Sequence, residues 1–216
     1  MNFAVARRNM VDSQIRTNRV TDPDLVAALL DVPRERFVPA SLRGVAYVDE
    51  DIPLGGGRFV IEPMVGARLL QDASVRPGDR VLVVGCGTGY LCAVLGRFAR
   101  AVVGLESDKA LAAMAIAVLG DLGATNVSIV CGRLKDGRPS DAPFDVIVIE
   151  GAVSEIPDTL LAQLAEGGRL VTVVTREGIG RATLAVRTGG ALSRRVLFDA
   201  ATPGLPGFEM APHFAF

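Results

Sequence analysis

The stretch VLVVGCGTGY, Val81 to Tyr90, decides the fold. Val81–Val84 is a short apolar run, the length of a buried strand, and it ends in Gly85, Gly87 and Gly89. Glycines there let the backbone turn sharply and pass close to a ligand where a Cβ would clash. Residues Tyr90–Phe98 have helical spacing, so the unit is strand, glycine loop, helix. Outward from it, Ala101–Leu105 is a second strand, with Glu106 at its end. Asp108–Leu122 is a helix whose first residue suits the positive end of the helix dipole. Val127–Val130 and Asp145–Ile149 are further strands, followed by a helix over Asp158–Leu164 and a strand over Arg169–Thr175. That alternation predicts βαβ units around a parallel sheet. Ala182–Arg187 and Leu192–Phe198 flank Gly189-Gly190 and predict an antiparallel hairpin at one edge.

The spacing G-x-G-x-G selects among nucleotide ligands. Tyr90 stands where a dinucleotide loop has its last glycine, no run of amides faces a pyrophosphate, and no Gly-Lys-Ser/Thr follows. Together with Glu106, placed to accept hydrogen bonds from both ribose hydroxyls, this favours S-adenosylmethionine (SAM) over NAD or ATP. The alternative is a strand–turn–helix corner without a ligand. Upstream, residues 3–20 predict a helix anchored by Phe3, Val11 and Ile15. Asp22-Pro23 starts another, with Leu25, Val26, Leu29 and Leu30 on one face, and Pro33 stops it. Residues 44–63 predict loop or short strand, and Pro63 a helix to about residue 73. The turn Pro77-Gly78-Asp79 divides an N-terminal helical, substrate-covering segment (1–76) from a SAM-binding Rossmann-like domain (77–216). Phe208, Met210, Phe214 and Phe216 predict an extended tail on the sheet edge.

Composition narrows the function. Half the residues are hydrophobic and 22% charged, which argues against disorder. Twenty-three basic residues balance 24 acidic ones, leaving no field for nucleic acid or an anionic membrane. The longest apolar run, Ala110 to Gly120, is shorter than the ~18 residues that span a bilayer. The N-terminus is broken by Arg7, Arg8 and Asp12, and the three cysteines, Cys86, Cys92 and Cys131, are odd in number. These predict a reducing, cytoplasmic setting, with the cysteines as small buried hydrophobes. Their spacing fits no zinc site, and His213 is the single histidine, so no metal is expected.

Several blocks carry a family resemblance. MVDSQIRTNRVTDPDLVAALLDVPRERFVP (Met10–Pro39), AYVDEDIPLGGGR (Ala46–Arg58), VLVVGCGTGY, LGATNVSIVCG (Leu122–Gly132), FDVIVIEGAVSEIP (Phe144–Pro157) and LLAQLAEGGRLV (Leu160–Val171) follow one another in order. Over residues 10–175 the chain resembles the protein-L-isoaspartate O-methyltransferases. The resemblance implies a Rossmann-like SAM-methyltransferase sheet and methyl transfer to the side-chain carboxylate of isoaspartyl residues in damaged proteins. It also implies a SAM site built from Gly85, Cys86, Gly87, Gly89, Tyr90, Glu106, Arg133 and Leu134. Tyr90 either packs on the methionine end of SAM or covers the sheet.

Three positions depart from the family's pattern. Where the family has a motif close to Gly-Gln-Thr-Ile-Ser-x-Pro, this chain has Gly57-Arg58-Phe59-Val60-Ile61-Glu62-Pro63. Ile61 replaces the serine that helps hold the isoaspartyl carboxylate. Arg133 replaces an aspartate that accepts from the adenine amino group, and arginine cannot accept a hydrogen bond. Glu150 replaces a threonine-type residue after the fourth strand. Arg58, Glu62 and Glu150 are therefore the candidate catalytic residues: Arg58 as a carboxylate clamp, the two glutamates as bases for an amine or hydroxyl. Arg58 as a solvated loop residue and Glu62 as a helix cap are the plain alternatives.

Three readings follow: a protein-carboxyl methyltransferase that repairs isoaspartate; a SAM methyltransferase with another acceptor, down to a small molecule; and a SAM-binding protein without catalysis. In each that binds SAM, Glu106→Ala is expected to weaken binding by roughly 10- to 150-fold while the fold stays intact.

Overall fold

The computed structural model describes residues 2–209. Met210, Pro212, His213, Phe214 and Phe216 lie outside them.

A seven-stranded sheet organises the chain. In chain order its strands are β3 (Arg80–Val84), β4 (Ala101–Glu106), β5 (Val127–Cys131), β6 (Phe144–Val153), β7 (Leu164–Arg176), β8 (Ile179–Thr188) and β9 (Ala191–Asp199), arranged β5-β4-β3-β6-β7-β8-β9. The first five run parallel; β8 and β9 are antiparallel to their neighbours. Gly189 and Gly190, both at positive φ, make the predicted hairpin turn. A separate ribbon, β1 (Ile52–Gly55) and β2 (Arg58–Val60), is joined by Gly55, Gly56 and Gly57.

The helices are set by local chemistry. Asp22 caps α2 (Pro23–Asp31) by accepting the N–H of Leu25 at 2.9 Å, and Pro33 forces Val32 into an extended conformation that ends it. Asp108 caps α5 (Lys109–Asp121) through the N–H groups of Ala110 and Leu111. Pro63 opens α3 (Pro63–Ala73) and Tyr90 opens α4 (Tyr90–Leu95). The first helix, α1 (Phe3–Met10), continues as a wider turn to Ile15 and a tighter one to Asn18, where Arg19 turns left-handed. Leu30 departs from its expected place: it is exposed, while Leu25, Val26 and Leu29 are buried. The helix expected over Asp158–Leu164 is only α6 (Asp158–Leu161), because Leu164 already pairs with Phe144 in the sheet.

Alternate residues of β3 feed the two layers. Val81 and Val83 join Met10, Phe37, Leu70 and Leu95 in a cluster beneath α1–α5; Leu82 and Val84 join Phe144, Ile149 and Leu160 on the other face. The N-terminal segment thus shares its apolar core with the sheet. Beyond β9 the chain crosses the carboxyl ends of the parallel strands: Gly204 bridges Ala152, and Phe208 is buried beside Leu205. Up to residue 209, the chain after β9 therefore lies over the carboxyl edge of the parallel strands. Among the described residues no helix is long and apolar enough to cross a membrane, and no three His, Cys, Asp or Glu side chains converge on a metal position.

Candidate active site

Strand β3 delivers the glycine loop to the carboxyl edge of the sheet. Gly85, Gly87 and Gly89 all have positive φ, and the N–H groups of Gly85 and Cys86 bind the carbonyl of Leu105. The three glycines have different tasks. A Cβ on Gly85 would fall 2.9 Å from Leu205 and 3.1 Å from Arg58, both in the cleft. On Gly89 it would meet Ala115 and Leu119 of α5 at 3.2 Å, so that glycine serves helix packing. Cys86 turns its sulfur toward Gly104 and Cys92, away from the cleft. Cys131, expected to be buried, is exposed.

Glu106 ends β4 fully buried. Its Oε2 accepts the N–H of Gly87 at 2.7 Å and Nη2 of Arg58 at 2.7 Å; its Oε1 accepts the N–H groups of Ser107 at 2.7 Å and Asp108 at 3.0 Å. Removing so well-held a carboxylate would leave a buried cation without its counter-ion and three amides without this acceptor. These contacts argue against the expectation that Glu106→Ala leaves the fold intact. Arg58 is also buried. Its Nη2 donates to the carbonyl of Gly85 at 2.6 Å, while Nε and Nη1 are buried without partners. It is not a solvated loop residue.

Glu150 sits where β6 loses register against β7, between Val148 and Ala152, with Gly151 at φ 145°. That irregularity re-aims the chain at the strand's end. Glu150 is buried with Oε2 unpartnered. Burial pushes its carboxyl up to about 8, against the opposing pull of Arg58 and Arg34. Arg58, Ile61, Glu150, Gly151 and Leu205 line one narrow cleft of about 10 Å³, space for one water. Glu62 does not line it. It is raised to about 7 by burial and by Asp49, Asp51 and Glu50. Nor does its side chain cap α3: Asp51 accepts the N–H of Glu62 itself at 2.9 Å, and Asp49 that of Met64 in the first turn at 3.4 Å.

Tyr90 is buried edge-on against Phe37, with ring centroids 5.6 Å apart, in the apolar cluster that also holds Val81 and Val83. Leu134 is buried in the second core cluster, whereas Arg133 points to solvent beside Asp136 at 3.7 Å. Two participants escaped sequence reasoning. Arg34 is buried and binds the carbonyls of Ala46 and Ile61, both at 2.8 Å. Leu205 fills the hollow between Gly85 and Gly151. An arginine just after Pro33 carries no local sign of burial, but Pro203-Gly204-Leu205-Pro206-Gly207 does mark a constrained crossing after the last strand.

A parallel sheet with a glycine loop after one strand and a buried carboxylate ending the next defines a Rossmann-like methyltransferase architecture. The sequence profile described as Protein-L-isoaspartate(D-aspartate) O-methyltransferase (PCMT) matches residues 6–199. The chain belongs to the protein-L-isoaspartate O-methyltransferase family, which is SAM-dependent. A protein-L-isoaspartate O-methyltransferase of Koribacter versatilis is 39% identical over 91% of this chain and 89% of its own. One from Methylorubrum extorquens is 43% identical over 81% and 76%. A solved protein-L-isoaspartate O-methyltransferase superposes with TM-score 0.81 at 28% identity, covering 93% of this chain and 66% of that one. A Plasmodium falciparum structure, in complex with S-adenosyl-L-homocysteine, shares the fold with TM-score 0.80 at 21% identity over 95% and 98%.

The residues present fit SAM in chemistry. The buried Glu106 carboxylate would accept from ribose hydroxyls, and the backbone near Leu134 would be left to meet adenine, because the exposed Arg133 side chain has no acceptor.

Proposed function

We propose that this chain methylates a side-chain carboxylate of a protein, with Glu150 in its acid form as a donor to that carboxylate. The observation that carries the reading is the buried, unpartnered Oε2 of Glu150 in the cleft it shares with Arg58. SAM, when bound, would supply a methyl group on a sulfonium whose neutral thioether is a good leaving group, so the protein's task is to position the nucleophile. A carboxylate is ionised near neutral pH and needs donors, not a base. Ile61 offers none. Glu150, held protonated up to about pH 8, carries an O–H where the family has a threonine-type hydroxyl, and Arg58 adds unpartnered N–H groups.

Incubation with an isoaspartyl peptide and methyl-labelled SAM tests the proposal. A base-labile methyl ester is expected, formed at a rate that falls above about pH 8 as Glu150 ionises. No ester above background would sink it. Ile61, lacking a donor, favours a second reading in which the acceptor is an amine and Glu150 the base; the rate then rises through the same pH range. The unbridged cysteines and the near-neutral charge support a cytoplasmic enzyme acting on proteins, not nucleic acid. In this reading residues 1–76 cover the substrate while 77–216 hold the cofactor.

A further inference from the structure

We infer that Arg58 and Leu205 form an internal plug of the cofactor cleft, so that SAM binds by displacing both; the inference rests on the SAM-site reading above. Arg58 takes the place of the ribose. Its Nη2, 2.7 Å from Glu106 Oε2, is one of five donors on that carboxylate, the others being the amides of Gly87, Ser107 and Asp108 and the Ser107 hydroxyl at 3.3 Å. A carboxylate has about four acceptor sites, so none is left for a hydroxyl while Arg58 stays.

Leu205 takes the hollow beside it. Ideal Cβ atoms on Gly85 and Gly151 would each lie 2.9 Å from its side chain. The segment around it is pinned by three hydrogen bonds: Leu205 N–H to the Ala152 carbonyl at 2.7 Å, Ala152 N–H to the Pro203 carbonyl at 2.8 Å, and the Ser154 hydroxyl to the Phe208 carbonyl at 2.8 Å. The ribbon carrying Arg58 touches the same segment, since a Cβ on Gly57 would meet Pro206 at 3.2 Å. Arg58 and the tail therefore close together.

The closed arrangement is not fully satisfied. Nε and Nη1 of Arg58 and Oε2 of Glu150 are buried without partners, and orphaned polar groups of this kind cost free energy. A ligand that brings its own hydroxyls to Glu106 and frees Arg58 recovers that cost. Apparent affinity then equals intrinsic affinity scaled by the fraction of molecules already open.

Calorimetry with S-adenosylhomocysteine on the full chain tests this without turnover. Arg58→Gln and Leu205→Ala are each expected to tighten binding by about tenfold or more, as when a state open in a tenth of molecules becomes dominant. Hydrogen exchange on the unaltered protein gives a second readout independent of any variant: the amides of Leu205 and Ala152 are expected to be protected and to exchange faster once S-adenosylhomocysteine is added. If the parent binds, the variants bind no tighter and these amides do not respond, the plug is overturned and the cofactor reading stands. If neither parent nor variants bind, both are overturned.

Discussion

The guanidinium of Arg34 lies 4.8 Å from the centroid of the Tyr90 ring, which places a buried cation from the N-terminal segment over the first residue of the helix that follows the glycine loop. The contact links the N-terminal segment to the loop, and the same guanidinium holds the carbonyls of Ala46 and Ile61. Arg34→Met removes both donors. Each buried carbonyl left unpaired costs about 1–3 kcal/mol, so urea unfolding is expected to show a loss of roughly 2–6 kcal/mol for the two.

Glu150 makes stability depend on pH in a particular direction. Its folded value, about 8, lies above the ordinary carboxylate value of 4.5. Between those two pH values the folded chain binds a proton that the unfolded chain has released. Stability from this group is therefore fully present below about pH 4.5 and is lost as pH rises toward 8. Glu150→Gln is expected to flatten that slope and to be the more stable protein at pH 8. Urea melts at pH 5, 7 and 9 check it; parallel curves for the two proteins would contradict the buried acid. In the methyl-transfer assay the same variant separates the roles, since an amide still donates but a lost base costs about 100-fold.

Glu62, half-buried just before α3, bears on pH in the same sense. Raised to about 7 by burial and by Asp49, Asp51 and Glu50, it loses stability as pH climbs through neutrality. Glu62→Gln is expected to raise the melting temperature at pH 8 and to leave it nearly unchanged at pH 4, measured by scanning calorimetry at both.

Glu106→Ala and Glu106→Gln are expected to diverge. The alanine strands Arg58 and three loop amides, and breaking a buried ion pair from one side costs about 3–5 kcal/mol. Glutamine keeps an acceptor in place and should fold with a smaller loss. Equal denaturation midpoints for the two variants would show that the acceptor kept by glutamine contributes nothing to the loop.

Gly89→Ala tests the division of labour among the glycines. Its φ of 89° is strained for any side chain, and the methyl would press on Ala115 and Leu119. A loss of about 1–3 kcal/mol is expected in thermal or urea unfolding, from strain and overpacking together.

What was legible in the sequence was what is decided locally. Asp22-Pro23 and Pro63 placed helix starts because a cap and a preset φ act within one turn, and Gly189-Gly190 placed the hairpin because positive φ is required there. The loop and Glu106 were legible because strand, turn and strand end lie close in the chain. Arg58 was visible as a departure but not as a partner of Glu106, 48 residues away; nothing local says which of 21 arginines turns inward. In the sequence Glu150 reads as a base, because the burial that keeps it protonated is a property of the assembled sheet. Leu205 was unread for the same reason, its neighbours being Gly85 and Gly151.

The antiparallel hairpin at the sheet's edge settles a matter of parity. β7 leaves the chain at the carboxyl edge, β8 carries it back, and β9 returns it, so that Ala200 binds the carbonyl of Gly180 at the same edge where Gly85 and Glu106 open. Two reversals restore direction; one would have discharged the tail on the opposite rim, some nine residues of strand away. Reach over the cleft is thus an even-number property of the topology. Side-chain changes can tune how tightly Leu205 sits, but only gaining or losing a whole strand can take the tail away from the site.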